Sequence, residues 1–123
     1  MMIGRLSEMA VRPARVAAGI RMNSQRLILV VTLTVRREAV AAFDHFERQA
    51  AGIMARYGGQ VEREIRLADD GLMDTFRDIH IVSFPDEASF EAYRQDAELA
   101  SLRPLREQAV VSTELVMGGD VAR

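Results

Sequence analysis

The chain contains no cysteine, no tryptophan and no lysine. Without cysteine it can form no disulfide, no thiolate metal site and no cysteine nucleophile. Without lysine it can form neither a Schiff base nor the phosphate-binding lysine of a P-loop. All sixteen basic residues are therefore arginines, which we interpret as a compositional bias rather than an adaptation to nucleic acid.

Long hydrophobic runs are also absent. The longest one, Leu27 to Val31, is far shorter than the roughly 20 residues that a transmembrane helix needs. The net charge is −2, and an acidic chain is a poor match for a nucleic-acid backbone. We therefore expect one cytoplasmic globular domain that binds neither nucleic acid nor a membrane.

The N-terminal segment differs from the rest of the chain. Residues 1–21 carry four arginines against Glu8, a charge of +3, which leaves −5 for the remainder. The segment lacks the apolar core of a secretory signal, and its arginine-rich composition resembles a transit peptide only superficially. We expect residues 1–25 to be a disordered tail, or sequence upstream of a true start at Met22. A functional targeting segment is the alternative.

From residue 26 onward, the hydrophobic pattern predicts regular structure. The stretch 27–35 is almost entirely apolar, which is typical of a strand buried on both faces. Between Arg36 and Tyr57, apolar residues recur every three or four positions and predict an amphipathic helix. The pair Gly58-Gly59 supplies the stop at its C-terminal end.

Two further strands and a broken helix follow. Residues 61–67 and 76–84 predict a hairpin whose turn is Asp69-Asp70-Gly71. Pro85 ends the second of these strands, because proline cannot continue a central ladder. The following helix is predicted in two parts, and a last strand is predicted at 110–117. The caps and the restart of that helix are assigned to Asp86, Asp96 and Pro104.

The predicted element order is β-α-β-β-α-β, which indicates an α+β, ferredoxin-like fold over residues 26–118 with a polar tail at 119–123. Both helical crossovers then cover the same face of an antiparallel sheet. The open face is expected to carry Ile28, Val30, Thr32, Thr34, Val82, Phe84, Val110 and Val116. An exposed apolar surface of that extent predicts a homodimer in which two sheets pack face to face as a dimeric α/β barrel.

Three short motifs carry a family resemblance. They are Tyr57-Gly58-Gly59, Ser83-Phe84-Pro85-Asp86 and Leu102-Arg103-Pro104-Leu105-Arg106. In order and spacing they resemble the dimeric α/β-barrel superfamily, most closely its uncharacterised domain-of-unknown-function family 1330. That superfamily contains antibiotic-biosynthesis monooxygenases, muconolactone isomerases, haem-degrading enzymes and ligand-sensing modules, so the resemblance implies a fold rather than one activity. The absence of tryptophan departs from the haem-degrading pattern.

His80 is the leading candidate for a catalytic residue. It lies in mid-strand, where an imidazole can act as a general base near neutral pH. Glu114, and Glu62 or Glu64, could orient or protonate it. The alternative is a structural histidine, with the carboxylates paired to Arg66 or Arg77. His45 falls on the polar face of the first helix, so we expect it to be solvated.

The predicted ligand site is the cleft between sheet and helices. Arg103 and Arg106 could clamp a ligand carboxylate there, or they could pair with Glu107 and Asp96 on the surface. The complete predicted ligand-binding set is Thr32, Thr34, Glu64, Arg66, Phe84, Arg103, Arg106 and Ser112.

Neither a metal nor another cofactor is expected, because the two histidines are far apart and lack ligand spacing. Three functions remain open: a cofactor-independent enzyme acting on a small organic anion, a small-molecule-binding module that uses the same cleft, and a non-catalytic structural dimer with a fully packed interior.

Overall fold

The computed structural model describes residues 10–12, 26–68 and 73–122. The strands are β1 (Ala10–Arg12), β2 (Leu27–Arg36), β3 (Gln60–Arg66), β4 (Thr75–Phe84) and β5 (Val110–Gly118). The helices are α1 (Val40–Ala55), α2 (Glu87–Arg94), α3 (Ala97–Ser101) and α4 (Arg103–Ala109), and a short 3-10 helix, Arg37–Ala39, precedes α1. Within these residues, no helix is both long enough and apolar enough to cross a membrane.

The sheet has the ferredoxin-like arrangement that the sequence predicts. Its strand order is β1-β5-β2-β4-β3. Strand β2 lies antiparallel between β4 and β5, and β3 pairs antiparallel with β4. The four strands from β2 to β5 therefore form an antiparallel sheet with helices on one face, and the α+β fold class is confirmed.

A short fifth strand extends the sheet at one edge. Strand β1 pairs in parallel with β5, with Ala10 opposite Glu114 and Arg12 opposite Val116. These three residues belong to the segment expected to be disordered or upstream of the true start. The other residues before Arg26, and the predicted turn Asp69-Asp70-Gly71, lie outside the described residues.

Helix caps organise the chain after β4. The Asp86 side chain accepts a hydrogen bond from the Ser89 amide at the start of α2. The Asp96 side chain accepts hydrogen bonds from the Glu98 and Leu99 amides at the start of α3. Each aspartate thus accepts hydrogen bonds from backbone amides that have no carbonyl partner in the first helical turn. Helix α4 starts at Arg103 and has Pro104 in its first turn. The helix predicted in two parts is therefore three short helices, α2, α3 and α4.

The glycine pair after α1 allows the helix to meet β4 closely. Gly58 has a φ of 75°, a left-handed conformation that glycine adopts without strain. A Cβ atom on Gly59 would lie 2.5 Å from both Met54 Cγ and Phe84 Cε1. The sequence Gly58-Gly59 therefore ends α1 and lets the chain pack directly against the core.

The strand register identifies the face that the helices cover. Leu29 lies opposite Val82, and Leu27 lies opposite Phe84, and residues directly opposite on antiparallel strands point to the same face. Val82, Phe84 and Val110 are all buried in the helix-covered core. Their predicted place on the open face was wrong.

The open face carries the other residues of each strand. By register these include Ile28, Val30, Thr32, Thr34, Ile79, Ile81, Ser112, Glu114 and Val116. Val30 remains 39% exposed and Val116 37% exposed. In the single chain, strand β2 is therefore buried on one face and partly exposed on the other.

A β-bulge explains why Arg63 interrupts the alternation of apolar and polar residues along β3. Val61 lies opposite Val82 and Arg63 lies opposite Ile81, with a register shift between them. A bulge inserts one extra residue and reverses the alternation beyond it. Glu64 consequently lies opposite His80 on the helix-covered side.

Candidate functional site

A cavity of about 80 Å³ lies between the sheet and the helices. Its walls are mainly apolar and come from the four strands β2 to β5 and from α1, α2 and α4. They include Leu29, Val31, Phe46, Ala50, Met54, Val82, Phe84, Phe90, Tyr93 and Leu115. Five side chains bring charged or polar groups to this lining: Glu47, His80, Arg94, Arg106 and Thr113. An apolar enclosure with a few convergent polar groups is the usual form of a small-molecule site.

His80 is held at the polar part of this cavity. Its side chain is 4% exposed, and its ring centroid lies 6.2 Å from that of Phe43. Nδ1 lies 3.4 Å from Glu47 Oε1, and Nε2 lies 3.5 Å from Asp78 Oδ2. Each ring nitrogen therefore faces one carboxylate, and Nε2 has no hydrogen-bond partner among the described residues.

Asp78 is fixed from the other side by Arg66. The guanidinium donates two hydrogen bonds to Asp78, from Nε to Oδ1 at 2.7 Å and from Nη2 to Oδ2 at 2.9 Å. Arg66 also lies over the Phe76 ring, 4.3 Å from its centroid. A bidentate pair of this kind restrains both partners strongly. Arg66 thus supports the site through Asp78 and Phe76.

Glu47 projects from α1 toward His80. Burial against the cavity wall raises the pKa of Glu47 to about 8, and the nearby charge of Glu64 acts in the same direction. The positive charge of Arg106 opposes this rise in pKa, but burial and the neighbouring carboxylates outweigh it. Glu47 is therefore protonated to a large extent near neutral pH.

Arg106 supplies a buried positive charge to the cavity. The residue is 9% exposed, and its Nη2 donates a hydrogen bond to the Thr113 hydroxyl. Arg94 lies in the same lining and contacts the Phe90 ring, with its guanidinium carbon 5.7 Å from the ring centroid. Burial raises the pKa of Tyr93, so the phenol remains neutral.

A surface groove of about 240 Å³ adjoins the cavity. The two share Glu47 and Ala51, and the groove is otherwise lined by Phe43, Asp44, Arg48, Glu64 and Arg66. Because Glu47 belongs to both, it lies where the enclosed apolar space meets the charged groove.

The predicted site residues fall into two groups on opposite faces of the sheet. His80, Phe84 and Arg106 line the cavity, while Glu64 and Arg66 line the adjoining groove. Thr32 lies opposite Glu114, and Thr34 opposite Ser112, on the open face. Arg103 lines neither space.

The expected partnership of His80 with Glu114 is therefore not formed within one chain. Val31, not Thr32, lies opposite His80, and it points to the helix-covered face together with Leu115. The carboxylate beside His80 belongs to Glu47, which the sequence interpretation missed. One signal was available: Glu47 lies between Phe43, Phe46 and Ala50 on the buried stripe of α1, where a charged residue is unusual. His45, by contrast, is exposed as expected.

Solved structures resemble this chain over most of its length. A cofactor-independent oxygenase from Streptomyces nogalater matches with a TM-score of 0.57 and 18% identity, covering 81% of this chain and 95% of its own. A protein provisionally described as an antibiotic biosynthesis monooxygenase, from Nitrosomonas europaea, matches with a TM-score of 0.66 and 16% identity, covering 81% and 94%. A protein of unknown function from Rhodopseudomonas palustris matches with a TM-score of 0.67 and 16% identity, covering 94% and 99%.

These similarities define the fold class. The chain shares its ferredoxin-like α+β fold with these solved proteins. No family model matches the sequence, and no curated protein is similar enough to be matched. The narrower resemblance to domain-of-unknown-function family 1330 stays a prediction.

Proposed function

We propose that this protein binds a small organic anion in the cavity between its sheet and helices. The observation that carries the proposal is the combination of an apolar cavity with the buried Arg106 guanidinium and the His80 imidazole in its lining. Apolar walls favour the body of an organic ligand. The guanidinium of Arg106 favours a carboxylate or another oxyanion.

The volume of the cavity sets the manner of binding. An enclosed cavity of roughly 150 Å³ holds benzene, whereas this cavity is about 80 Å³. A single ring therefore fits only if flexible lining side chains such as Met54 and Arg94 move, or if part of the ligand lies in the adjoining groove. A short branched aliphatic acid fits with less displacement.

The alternative of a fully packed interior is less well supported. That alternative predicts no space beside His80, but the cavity reaches this residue. One solved neighbour is described as a cofactor-independent oxygenase. Oxygen consumption is therefore the first reaction to assay once a ligand is found.

We propose further that the binding protein is a homodimer that pairs its open sheet faces. Val30 lies opposite Val116 near the middle of that face, and both are more than one-third exposed in the single chain. Ile79 and Ile81 lie on the neighbouring strand. Covering this apolar surface with the same surface of a second chain would remove it from water.

A ligand screen with a cavity-filling variant tests the proposed function. Benzoate, hydroxybenzoates and branched aliphatic acids are titrated while the unfolding midpoint is followed, since a ligand at 100 times its dissociation constant stabilises the fold by about 2.7 kcal/mol. Ala50→Leu, which fills the cavity from α1, should abolish the stabilisation. Ala41→Leu, the same change at an exposed position of α1, should retain it.

Two outcomes would contradict the proposal. One is that no acid raises the midpoint of the unmodified protein. The other is that a hit binds equally well to Ala50→Leu, which would place the ligand elsewhere.

A further inference from the structure

Three side chains from separate elements converge at the junction of cavity and groove. Glu47 comes from α1, Glu64 from β3 and His80 from β4. One ligand-type atom from each lies within 4.8 Å of the corresponding atoms of the other two. Nitrogen from imidazole and oxygen from carboxylate together form a common donor set for first-row transition metals.

We propose that Glu47, Glu64 and His80 bind a divalent first-row transition-metal ion, with Zn²⁺ or Co²⁺ as suitable probes. The site would supply three protein ligands and leave further positions open toward the cavity. Three protein ligands with an open position is the arrangement of catalytic rather than structural metal sites. The proposal goes beyond binding of the organic anion and does not depend on it.

The geometry of the Glu47–His80 pair fits such an ion. At metal–ligand distances of roughly 2.1 Å, two ligands of a tetrahedral site lie about 3.4 Å apart. Glu47 Oε1 and His80 Nδ1 are separated by 3.4 Å. Glu64 is exposed, so its side chain can close the remaining distance without disturbing the core.

The carboxylate of Asp78 behind the His80 ring is the second observation that agrees with an ion on Nδ1. The imidazole is 4% exposed, and Nε2 has no hydrogen-bond partner within the described residues. A buried polar side chain with an unused ring nitrogen is costly unless another group satisfies it. With the ion on Nδ1, Nε2–H is left to approach Asp78 Oδ2, now 3.5 Å away. Histidine ligands of metals commonly use a carboxylate in this way.

The charge of the cluster agrees with a cation. Glu47 and Glu64 lie near two further carboxylates, those of Asp44 and Asp78. Arg66 is bound in two places to Asp78. A divalent ion would replace the Glu47 proton and would neutralise the repulsion between the two ligand carboxylates once both are ionised.

The proposal departs from the sequence-based expectation of no metal. That expectation considered the spacing of the two histidines along the chain. The fold instead supplies carboxylates from α1 and β3, and the bulge in β3 places Glu64 on the same side as His80.

Metal binding is tested on the complete chain, with any affinity tag removed and no organic ligand present. Calorimetry with Zn²⁺ should give one ion per chain, and Mg²⁺ should bind much more weakly because it disfavours imidazole. Glu64→Gln should weaken Zn²⁺ binding at least about tenfold. Glu107→Gln, the same change at an exposed residue of α4, should leave it unchanged. Glu64 is exposed, so its replacement should not impair folding.

The two histidines provide a second readout. The chain contains only His45 and His80, so their imidazole NMR signals can be assigned with a His45→Gln variant. Zn²⁺ should shift the His80 signals and leave those of His45 unchanged. The proposal is overturned if Zn²⁺ does not bind, if the His45 signals shift instead, or if Glu64→Gln and Glu107→Gln bind equally.

Discussion

Glu47 Oε1 lies 3.4 Å from His80 Nδ1, which joins the first helix to a central strand across the end of an apolar cavity. The groups that influence the Glu47 charge come from several elements. They are Glu64, Arg106, Asp78 and Asp44, and they act in addition to burial, which has the largest effect. The sum of their effects and of burial is a pKa of about 8, against 4.5 for an ordinary glutamate.

This raised pKa predicts a pH-dependent stability in metal-free protein. Between pH 4.5 and about 8 the folded state retains a proton on Glu47 that the unfolded state has lost. The free energy of unfolding therefore falls as pH rises through this interval, by up to about 1.4 kcal/mol per pH unit from this group. The contribution is fully present below pH 4.5 and absent above about 8.

Denaturant unfolding in the presence of a chelator measures this effect. Glu47→Gln should flatten the pH profile in the interval, whereas Glu107→Gln should reproduce the profile of the unmodified protein. Parallel profiles for Glu47→Gln and the unmodified protein would show that Glu47 titrates normally.

Replacing each of two glycines with alanine should change the stability of the fold in opposite directions. Gly59→Ala places a methyl group 2.5 Å from Phe84 Cε1 and Met54 Cγ, so it should destabilise the fold by about 1–3 kcal/mol. Gly52 lies within α1, and a methyl group added to it would meet no atom within 4 Å outside the helix backbone and the adjacent residues. Gly52→Ala should therefore stabilise the fold by about 0.5–1 kcal/mol through helix propensity. Chemical denaturation of both variants checks the pair, and equal effects would contradict the close packing at Gly59.

A charged residue on the open sheet face should change the oligomeric state of the protein. Val30→Glu places a charge in the proposed interface and should convert a dimer to a single chain, as light scattering after gel filtration would show. Met73→Glu is the control, since Met73 is 84% exposed and lies before β4, outside the strands of the sheet. If the unmodified protein has the mass of one chain, the proposed dimer is wrong.

Arg106 should select for charged ligands. For the tightest-binding acid from the screen, Arg106→Met should weaken binding about 10- to 100-fold, because a hydrogen bond to a charged group contributes about 1.5–3 kcal/mol. Binding of the corresponding uncharged amide should change much less. Arg103→Met on the same helix serves as control, because Arg103 does not line the cavity. Equal losses for acid and amide would indicate a packing role for Arg106.

Local rules predicted the elements of this fold well. The caps at Asp86 and Asp96 and the stop at Gly58 depend on side chains and glycine within a few residues of the helix ends, so the sequence contains them in full. The alternation of side chains along β4 was also evident in the sequence. It correctly placed Ile79 and Ile81 on the opposite face of the strand from His80.

The covered face of the sheet could not be predicted in the same way. Both sets of β4 residues are apolar, since Ile79 and Ile81 alternate with Val82 and Phe84. The alternation of residues along β4 therefore does not indicate which face of the sheet the helices cover. Only the pairing of Val82 with Leu29, and the packing of α1 over them, decides the matter.

The same limit applies to the candidate site. His80 and Glu47 meet through tertiary packing, and the β3 bulge adds Glu64 to their side. The sequence pattern placed Glu114 on the same face of the sheet as His80, whereas the strand register places Glu114 on the open face. A charged residue on the apolar stripe of α1 was the one local sign that pointed to Glu47.

The most direct measurement is a crystal structure of the complex with the tightest-binding acid. The proposed function predicts the ligand body against Phe84 and Phe90, with its carboxylate within hydrogen-bond distance of Arg106. A ligand on the open sheet face, beside Thr32 and Ser112, would contradict it.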